Sequence, residues 1–219
     1  MTKMTEKRIE RTFILSGLRK TCRITGFVCY FVLRDLIINK QMELEAKRII
    51  IRPITLADKN EIFEYRSDTE TNKYQSWIPK TIDDVEIFIG KISTKFNEPD
   101  TWFQLVIIEK KTQKIIGDLG IHFFDSDNKQ VEIGCTLNKD FQNKGYATES
   151  IKIVIDYLFK RLNKHRIITS IDPNNKNSIR LVERIGFRKE AHLVESLLIN
   201  GKWVDDLIYA LIEKDWDKL

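Results

Sequence analysis

Few features restrict a fold as much as a strand, a tight glycine loop and a long helix in immediate succession. The stretch Val131 to Lys160, VEIGCTLNKDFQNKGYATESIKIVIDYLFK, reads this way. Val131, Ile133, Cys135 and Leu137 alternate with Glu132, Gly134 and Thr136, the period of two that a pleated strand shows. The loop Gln142-Asn143-Lys144-Gly145-Tyr146-Ala147 follows, and Ile151, Ile153, Val154, Tyr157 and Leu158 then recur at helical spacing. The first turn of such a helix offers unpaired backbone N–H groups and the positive end of its dipole. That is an anion site of the kind that holds a diphosphate, and a glycine lets the backbone approach it without a Cβ in the way. The loop matches neither G-x-G-x-x-G nor G-x-x-x-x-G-K-[ST].

Composition narrows the function classes. The chain has 219 residues, 32% of them charged and 42% hydrophobic, which describes a globular protein. With 4 prolines, 9 glycines and no internal repeat, there is no low-complexity linker. The length suits one domain with an addition. A net charge of +5 suggests nucleic acid only until it is divided: residues 1–41 carry a balance of +6, and Met42 onward carries −1. No nucleic-acid surface is expected. Cys22, Cys29 and Cys135 make no even framework and no C-x-x-C pair, as in a reduced, cytoplasmic setting. Cys135 reads as a packing residue rather than a nucleophile. His122, His165 and His192 lack metal-ligand spacing, so no metal is expected.

Ile24 to Leu33 (ITGFVCYFVL) is apolar but shorter than the roughly 20 residues that cross a bilayer, and no small-residue cleavage site follows it. No membrane span is expected. Residues 1–41 are read as an N-terminal extension without assigned role, either an appendage or sequence upstream of the natural start at Met42.

The body then runs in order. Arg48 to Ile54 is a strand ended by Pro53. Thr55 opens a helix containing Ile62, Phe63 and Tyr65. Asn72 to Pro79 is a loop with two aromatics, and Thr81 caps a second helix expected to reach Phe96. Trp102–Ile108 and Ile115–Phe124 form a hairpin that leads into the Val131 strand. After the long helix come the strand Arg166–Ile171, a turn at Asp172-Pro173, the helix Ser178–Ile185 stopped at Gly186, and the strands Phe187–Leu198 and Trp203–Ile212 around an Asn200-Gly201 turn. The expected order is β-α-α-β-β-β-α-β-α-β-β, an α/β (α+β) chain with a mixed sheet.

That order, together with two motifs, resembles the GNAT N-acetyltransferase superfamily over roughly Ala46 to Trp216. Gln142, Gly145 and Ala147 fit its Gln/Arg-x-x-Gly-x-Gly/Ala loop. The stretch from Asp172 to Phe187 is similar to its D-P-x-N-x-x-S-x-R-x-x-E-x-x-G-F landmark, and RIIIRPIT and NKYQSW resemble the branch of ribosomal-protein N-terminal acetyltransferases. The resemblance implies a mostly antiparallel mixed sheet with helices on both faces, spanning residues 46–216. It also implies acetyl-CoA as cosubstrate. The cofactor-binding set is Cys135, Leu137, Gln142, Asn143, Lys144, Gly145, Tyr146, Ala147, Thr148, Asn175 and Ser178, with pantetheine beside the Ile133–Leu137 strand. A family bulge would splay that strand from Arg166–Ile171.

Transfer of acetyl to an amine needs a base, because amines are protonated near neutral pH. Glu132 is the candidate, pointing away from Val131 and Ile133; a solvated strand glutamate is the plainer reading. Asn175 and Ser178 complete the catalytic set. The family tyrosine that acts as acid after the asparagine is missing from Lys176–Ile185, which leaves Ser178, Tyr209 or water. Trp77 and Asp205 are candidates for the acceptor, an amine on a protein N-terminus or on a small molecule. Glu149 suits the helix dipole rather than catalysis. The expected activity is N-acetyl transfer to an amine such as a protein N-terminus, by a monomer or homodimer. The competing readings are a small-molecule acetyltransferase (aminoglycoside or polyamine) and an acyl-CoA-binding module without turnover.

Overall fold

Runs of β-branched residues such as Ile49–Ile51 and Val106–Ile108 favour extended backbone, and each lies in a strand of one sheet. The computed structural model describes residues 42–199 and 201–218. The extension 1–41, with Cys22 and Cys29, lies outside the described residues, as does Asn200 of the expected turn. The strands are β1 Leu44–Glu45, β2 Ile49–Pro53, β3 Thr101–Glu109, β4 Ile115–Phe123, β5 Gln130–Leu137, β6 Arg166–Ile171, β7 Arg188–Ile199 and β8 Lys202–Ile212. The helices are α1 Lys59–Arg66, α2 Ile82–Lys91, α3 Tyr146–Lys160, α4 Lys176–Ile185 and α5 Glu213–Trp216. The sheet order is β1-β2-β3-β4-β5-β6-β8-β7, antiparallel throughout except for β5 beside β6.

The expected order is present with β1 and α5 added. The largest difference from the sequence reading is at the end of the second helix. Helix α2 stops at Lys91, where Ile92 takes extended angles. Phe96 instead packs against Phe103, Phe123 and Tyr157, with ring centroids 4.9, 5.4 and 6.0 Å away. A core site for an aromatic ring outweighs another helical turn.

Helices cover both faces. Val154, Ile155, Leu158 and Phe159 of α3, with Val182 and Ile185 of α4, pack on Leu105, Leu119, Ile121, Val131 and Ile133. Each such fully buried side chain contributes about 1.5–3 kcal/mol. Ile62 and Tyr65 of α1 and Val85 of α2 pack with Val106 and Ile115 on the opposite face. Helix α4 begins where Asn175 Oδ1 accepts the Ser178 N–H at 3.2 Å. It ends at Gly186, whose φ is +113° and whose N–H reaches back to Val182 and Glu183.

The parallel pair is brief. Gln130 faces Arg166, Val131 faces Ile167 and Glu132 faces Ile168, and there the two strands part. Strand β5 continues on β4 to Leu137, while β6 continues on β8 to Ile171. The sheet therefore splits in its middle. Among the described residues no helix is long and apolar enough to cross a membrane.

Candidate active site

The loop between β5 and α3 is shaped for an anion by its backbone. Asn143 (φ +58°) and Gly145 (φ +83°) both adopt left-handed angles, and Gly145 is the N-cap of α3. The first bond of the helix runs from Glu149 N–H to the Gly145 carbonyl at 3.1 Å. Among the described residues, the amides of Asn143 to Thr148 have no acceptor. Consecutive free N–H groups at a helix start bind oxyanions.

The side chains of this loop serve a different end. Gln142 Nε2 donates to the Leu137 carbonyl at 3.0 Å, and Lys144 Nζ to the Asp140 carbonyl at 2.7 Å. The buried Tyr146 hydroxyl binds Glu109, which raises the phenol's pKa. Thr148 Oγ1 accepts from Arg184 at 3.1 Å, and Ala147 packs against the core. Each fixes the loop and leaves the amides free.

Arg48, which the sequence reading did not single out, braces this loop from β2's approach. Its Nε and backbone N–H donate to Glu149 at 2.7 Å each, its Nη1 donates to the Lys144 carbonyl at 2.9 Å, and its guanidinium lies 4.3 Å over the Tyr146 ring. Glu149 is thus paired, which removes a free negative charge from beside the anion site. These partners are about a hundred residues apart in the chain, so no local pattern reveals them.

Where β5 and β6 part, a cleft of about 560 Å³ opens. Gly134, Cys135 and Thr136 line it from β5, Thr169 to Ile171 from β6, and Asn175, Ser178 and Val182 from the α4 side. Trp77, Tyr74 and Arg66 close the far wall, and Leu197, Ile199 and Val204 of the β7–β8 hairpin close another. Glu132, Asp205 and Asp206 also line it. The structure thus brings Glu132, Cys135, Asn175, Ser178, Trp77 and Asp205 to one cleft, whereas Leu137 and the loop 142–148 are not part of its lining. A Cβ added at Gly134 would meet nothing within 4 Å.

Register places polar and small side chains on one face of the central strands. Trp102 faces His122 and Gln104 faces Gly120 between β3 and β4, and His122 faces Glu132 and Gly120 faces Gly134 between β4 and β5. Burial raises the pKa of Glu132 and the nearby Asp206 adds to this, while His122, with Nδ1 3.7 Å from the carboxylate, opposes it. A carboxylate raised in this way is a better base. Burial pushes the Cys135 thiol up to about 12, so it is held protonated.

The carboxylates of the β8 wall are engaged. Asp206 accepts from Ser170 Oγ at 2.7 Å and from Ile171 N–H at 3.1 Å. Asp205 contacts His192 Nε2 at 2.7 Å and accepts from Glu195 N–H at 2.9 Å. Tyr209 stands outside the cleft: it is buried, its hydroxyl donates to Glu183 at 2.9 Å, and burial raises its pKa. It is not placed to protonate a leaving group in the cleft. Trp77 lines the cleft and also stacks on Phe88 at 4.3 Å.

A second buried network lies under the Trp77 wall. Asp118 accepts from the Tyr65 hydroxyl, from both ends of the Arg66 fork (Nε at 2.8 Å) and from Gln104 Nε2 at 2.6 Å. Arg66 and Asp118 are 8% and 2% exposed. A charged residue inside the apolar run IIGDLGIHF was the signal for it. Among the described residues no cluster of metal-ligating side chains forms.

The profile of an acetyltransferase (GNAT) domain matches residues 48–188. An uncharacterized N-acetyltransferase, YnaD of Bacillus subtilis (strain 168), is 31% identical over 179 residues, covering 80% of this chain and 100% of its own. The [ribosomal protein uS5]-alanine N-acetyltransferase of Escherichia coli (strain K12) is 36% identical over 84 residues, which is 38% of this chain and 43% of that one. The crystal structure of a GNAT-family acetyltransferase from Bacillus anthracis superposes with a TM-score of 0.71 at 29% identity, over 79% of this chain and 99% of that one.

Proposed function

The chain belongs to the acetyltransferase (GNAT) family and is an N-acetyltransferase, and from that premise we propose that its acceptor is the N-terminal amine of a polypeptide. The observation that carries this reading is the state of the cleft carboxylates. Asp205 and Asp206 are each held by two groups of the protein, and Asp172 accepts from the Asn174 N–H at 2.7 Å. Carboxylates fixed in this way are less free to turn onto the second and third ammonium groups of a polyamine or aminoglycoside, although their charge and remaining lone pairs stay available. The remaining wall is apolar and aromatic, suited to the side chains that follow a terminal amine. The named acceptor of the Escherichia coli relative, an alanine of a ribosomal protein, supports the same choice.

The family uses acetyl-CoA, and the residues present fit it. The free amides from Asn143 to Thr148 suit its diphosphate, and the split beyond Glu132 leaves one side of β5 without a strand partner, beside which an extended pantetheine can hydrogen-bond. Asn175 and Ser178 lie on the other side of that gap. Bound there, the cosubstrate supplies an acetyl group activated as a thioester. Glu132 takes a proton from the acceptor ammonium, directly or through water, so that the nitrogen lone pair is free to attack. Backbone N–H groups of β5 facing the gap stabilise charge on the acetyl oxygen. A thiolate is a stable leaving group, so Ser178 or water suffices to protonate it. We assign the reaction to residues 46–216 of a cytoplasmic monomer or homodimer.

The test is thiol release from acetyl-CoA by the full chain, offered an alanine-initiated peptide, spermidine and kanamycin in turn. Turnover with the peptide, reduced at least about a hundredfold in Glu132→Gln, is the expected result. Turnover confined to spermidine or kanamycin would move the acceptor to small molecules. Acetyl-CoA binding without turnover on any amine would leave a binding module.

A further inference from the structure

Acetylation of an ammonium releases one proton overall. The nitrogen loses two protons as the C–N bond forms, the C–S bond breaks with its electron pair on sulfur, and the thiolate takes back one. The other must leave a cleft whose mouth the two bound substrates occupy. The base therefore needs both a fixed orientation and an outlet.

His122 has the position for both. It stands directly across from Glu132 in the β4–β5 register, with Nδ1 3.7 Å from Oε2. That is beyond a hydrogen bond, but within the reach of a small side-chain rotation. The ring is held from behind: it stacks on Trp102 at 4.6 Å with planes 5° apart, and Phe124 flanks it at 5.8 Å. Trp102 and Glu132 line the cleft, whereas His122 does not; its exposure is close to that of Glu132, but it lies outside the cleft lining and so offers a path that a bound substrate does not cover. An imidazole can accept a proton at one nitrogen and release one from the other.

We infer that His122 is a positioning residue for Glu132, one that orients the carboxylate toward the cleft and carries the proton it collects out to solvent. The inference rests on the base role proposed for Glu132. The other groups near this pair are accounted for. Asp206 of β8 acts on Glu132 with the opposite sign and is itself held by Ser170 and Ile171. Arg166 of β6 is turned to Glu190, and Arg66 of α1 is held by Asp118. Trp102 and Phe124 are uncharged. Among these neighbours His122 alone offers Glu132 a titratable route outward.

Two measurements on the full chain separate this inference from the reading beneath it. The first is the Glu132 carboxyl titration by carbon NMR in wild type, His122→Phe and His122→Gln. It needs no turnover. Phenylalanine keeps the stack on Trp102, so the midpoint should rise by about one pH unit once the opposing partner is gone; an unmoved midpoint in both variants overturns the inference. The second is the pH profile of kcat/KM with the alanine-initiated peptide. His122→Phe should move the acid limb up by a similar amount and lower the plateau about tenfold. Added imidazole should recover part of that loss, and His122→Gln, which still donates a hydrogen bond, should recover orientation but not the proton route. Profiles that superpose on wild type while Glu132→Gln is slow overturn the role of His122 and spare Glu132. Full activity in Glu132→Gln removes the base reading itself.

Discussion

Replacing Asp118 with leucine should be among the most destabilising single changes in this fold, and a second mutation should relieve much of the damage. Asp118 is 2% exposed and accepts four hydrogen bonds, two of them from the fork of Arg66, itself 8% exposed. Without the carboxylate, the guanidinium is left charged and unpaired at a position only 8% exposed, because an arginine keeps its proton even when buried. Breaking a buried pair from one side costs about 3–5 kcal/mol. At roughly 2–4 °C per kcal/mol for a chain of this size, Tm should fall by on the order of 10 °C. In Arg66→Met/Asp118→Leu the unpaired charge is gone, and only the neutral donors Tyr65 and Gln104 lack a partner, at about 1–3 kcal/mol each. The double variant should therefore be more stable than Asp118→Leu, with a coupling of about 2 kcal/mol in urea denaturation at constant m-value. Single-variant losses that simply add would mean that Arg66 reaches water when Asp118 is removed, and the account of a desolvated pair would be wrong.

Three further outcomes are expected. Gly145→Ala puts a Cβ into a left-handed position (φ +83°) and 3.3 Å from Arg48 Nη2, which costs about 1–2 kcal/mol; calorimetric titration should show weaker binding of coenzyme A. Gly134→Leu adds a side chain where nothing lies within 4 Å, so thermal unfolding should change little while acetyl transfer is lost. Lys164 is fully buried and its pKa is lowered to about 8 by burial. The unfolded chain therefore binds more protons than the folded one between about pH 8 and 10.4, and this residue's penalty on stability is relieved as pH rises through that window. A Lys164→Met chain should lack that upward slope when unfolding free energy is measured across it.

The parts of this molecule legible from its sequence are those whose cause is local. The alternation at Val131, Glu132 and Ile133, the helical spacing after Gly145 and the stop at Gly186 each follow from a few adjacent residues, and each is in place. The end of α2 is not legible in the sequence, because Phe96 fits a helical pattern as well as it fits a gap between Phe103 and Phe123. The clamp of Arg48 on Glu149 and the Arg66–Asp118 pair join residues far apart in the chain, and neither spacing nor composition encodes such a meeting. The split between β5 and β6 was expected only from resemblance. Nothing in Ile133–Leu137 or Thr169–Ile171 says that two strands paired at Glu132 must then separate, because that is decided by what β4 and β8 pull from either side.

Strand β7 carries a hazard and its remedy together. It is an edge strand of the sheet, twelve residues long, with Val194 and Leu198 exposed and Trp203 exposed beside it on β8. A straight edge of that length and character is a template on which a stranger's chain can pair and grow. The ladder is broken twice, between Lys189 and Ala191 and between Leu193 and Leu197, with Glu195 forced to φ +47° inside the second break. Asp205 reaches back to bind the Glu195 amide, so one backbone donor of the irregular stretch is already occupied. Asp205, which lines the cleft wall, thereby also holds the interruption in the edge, and a hairpin regularised by trimming the bulge would present an unbroken edge for pairing.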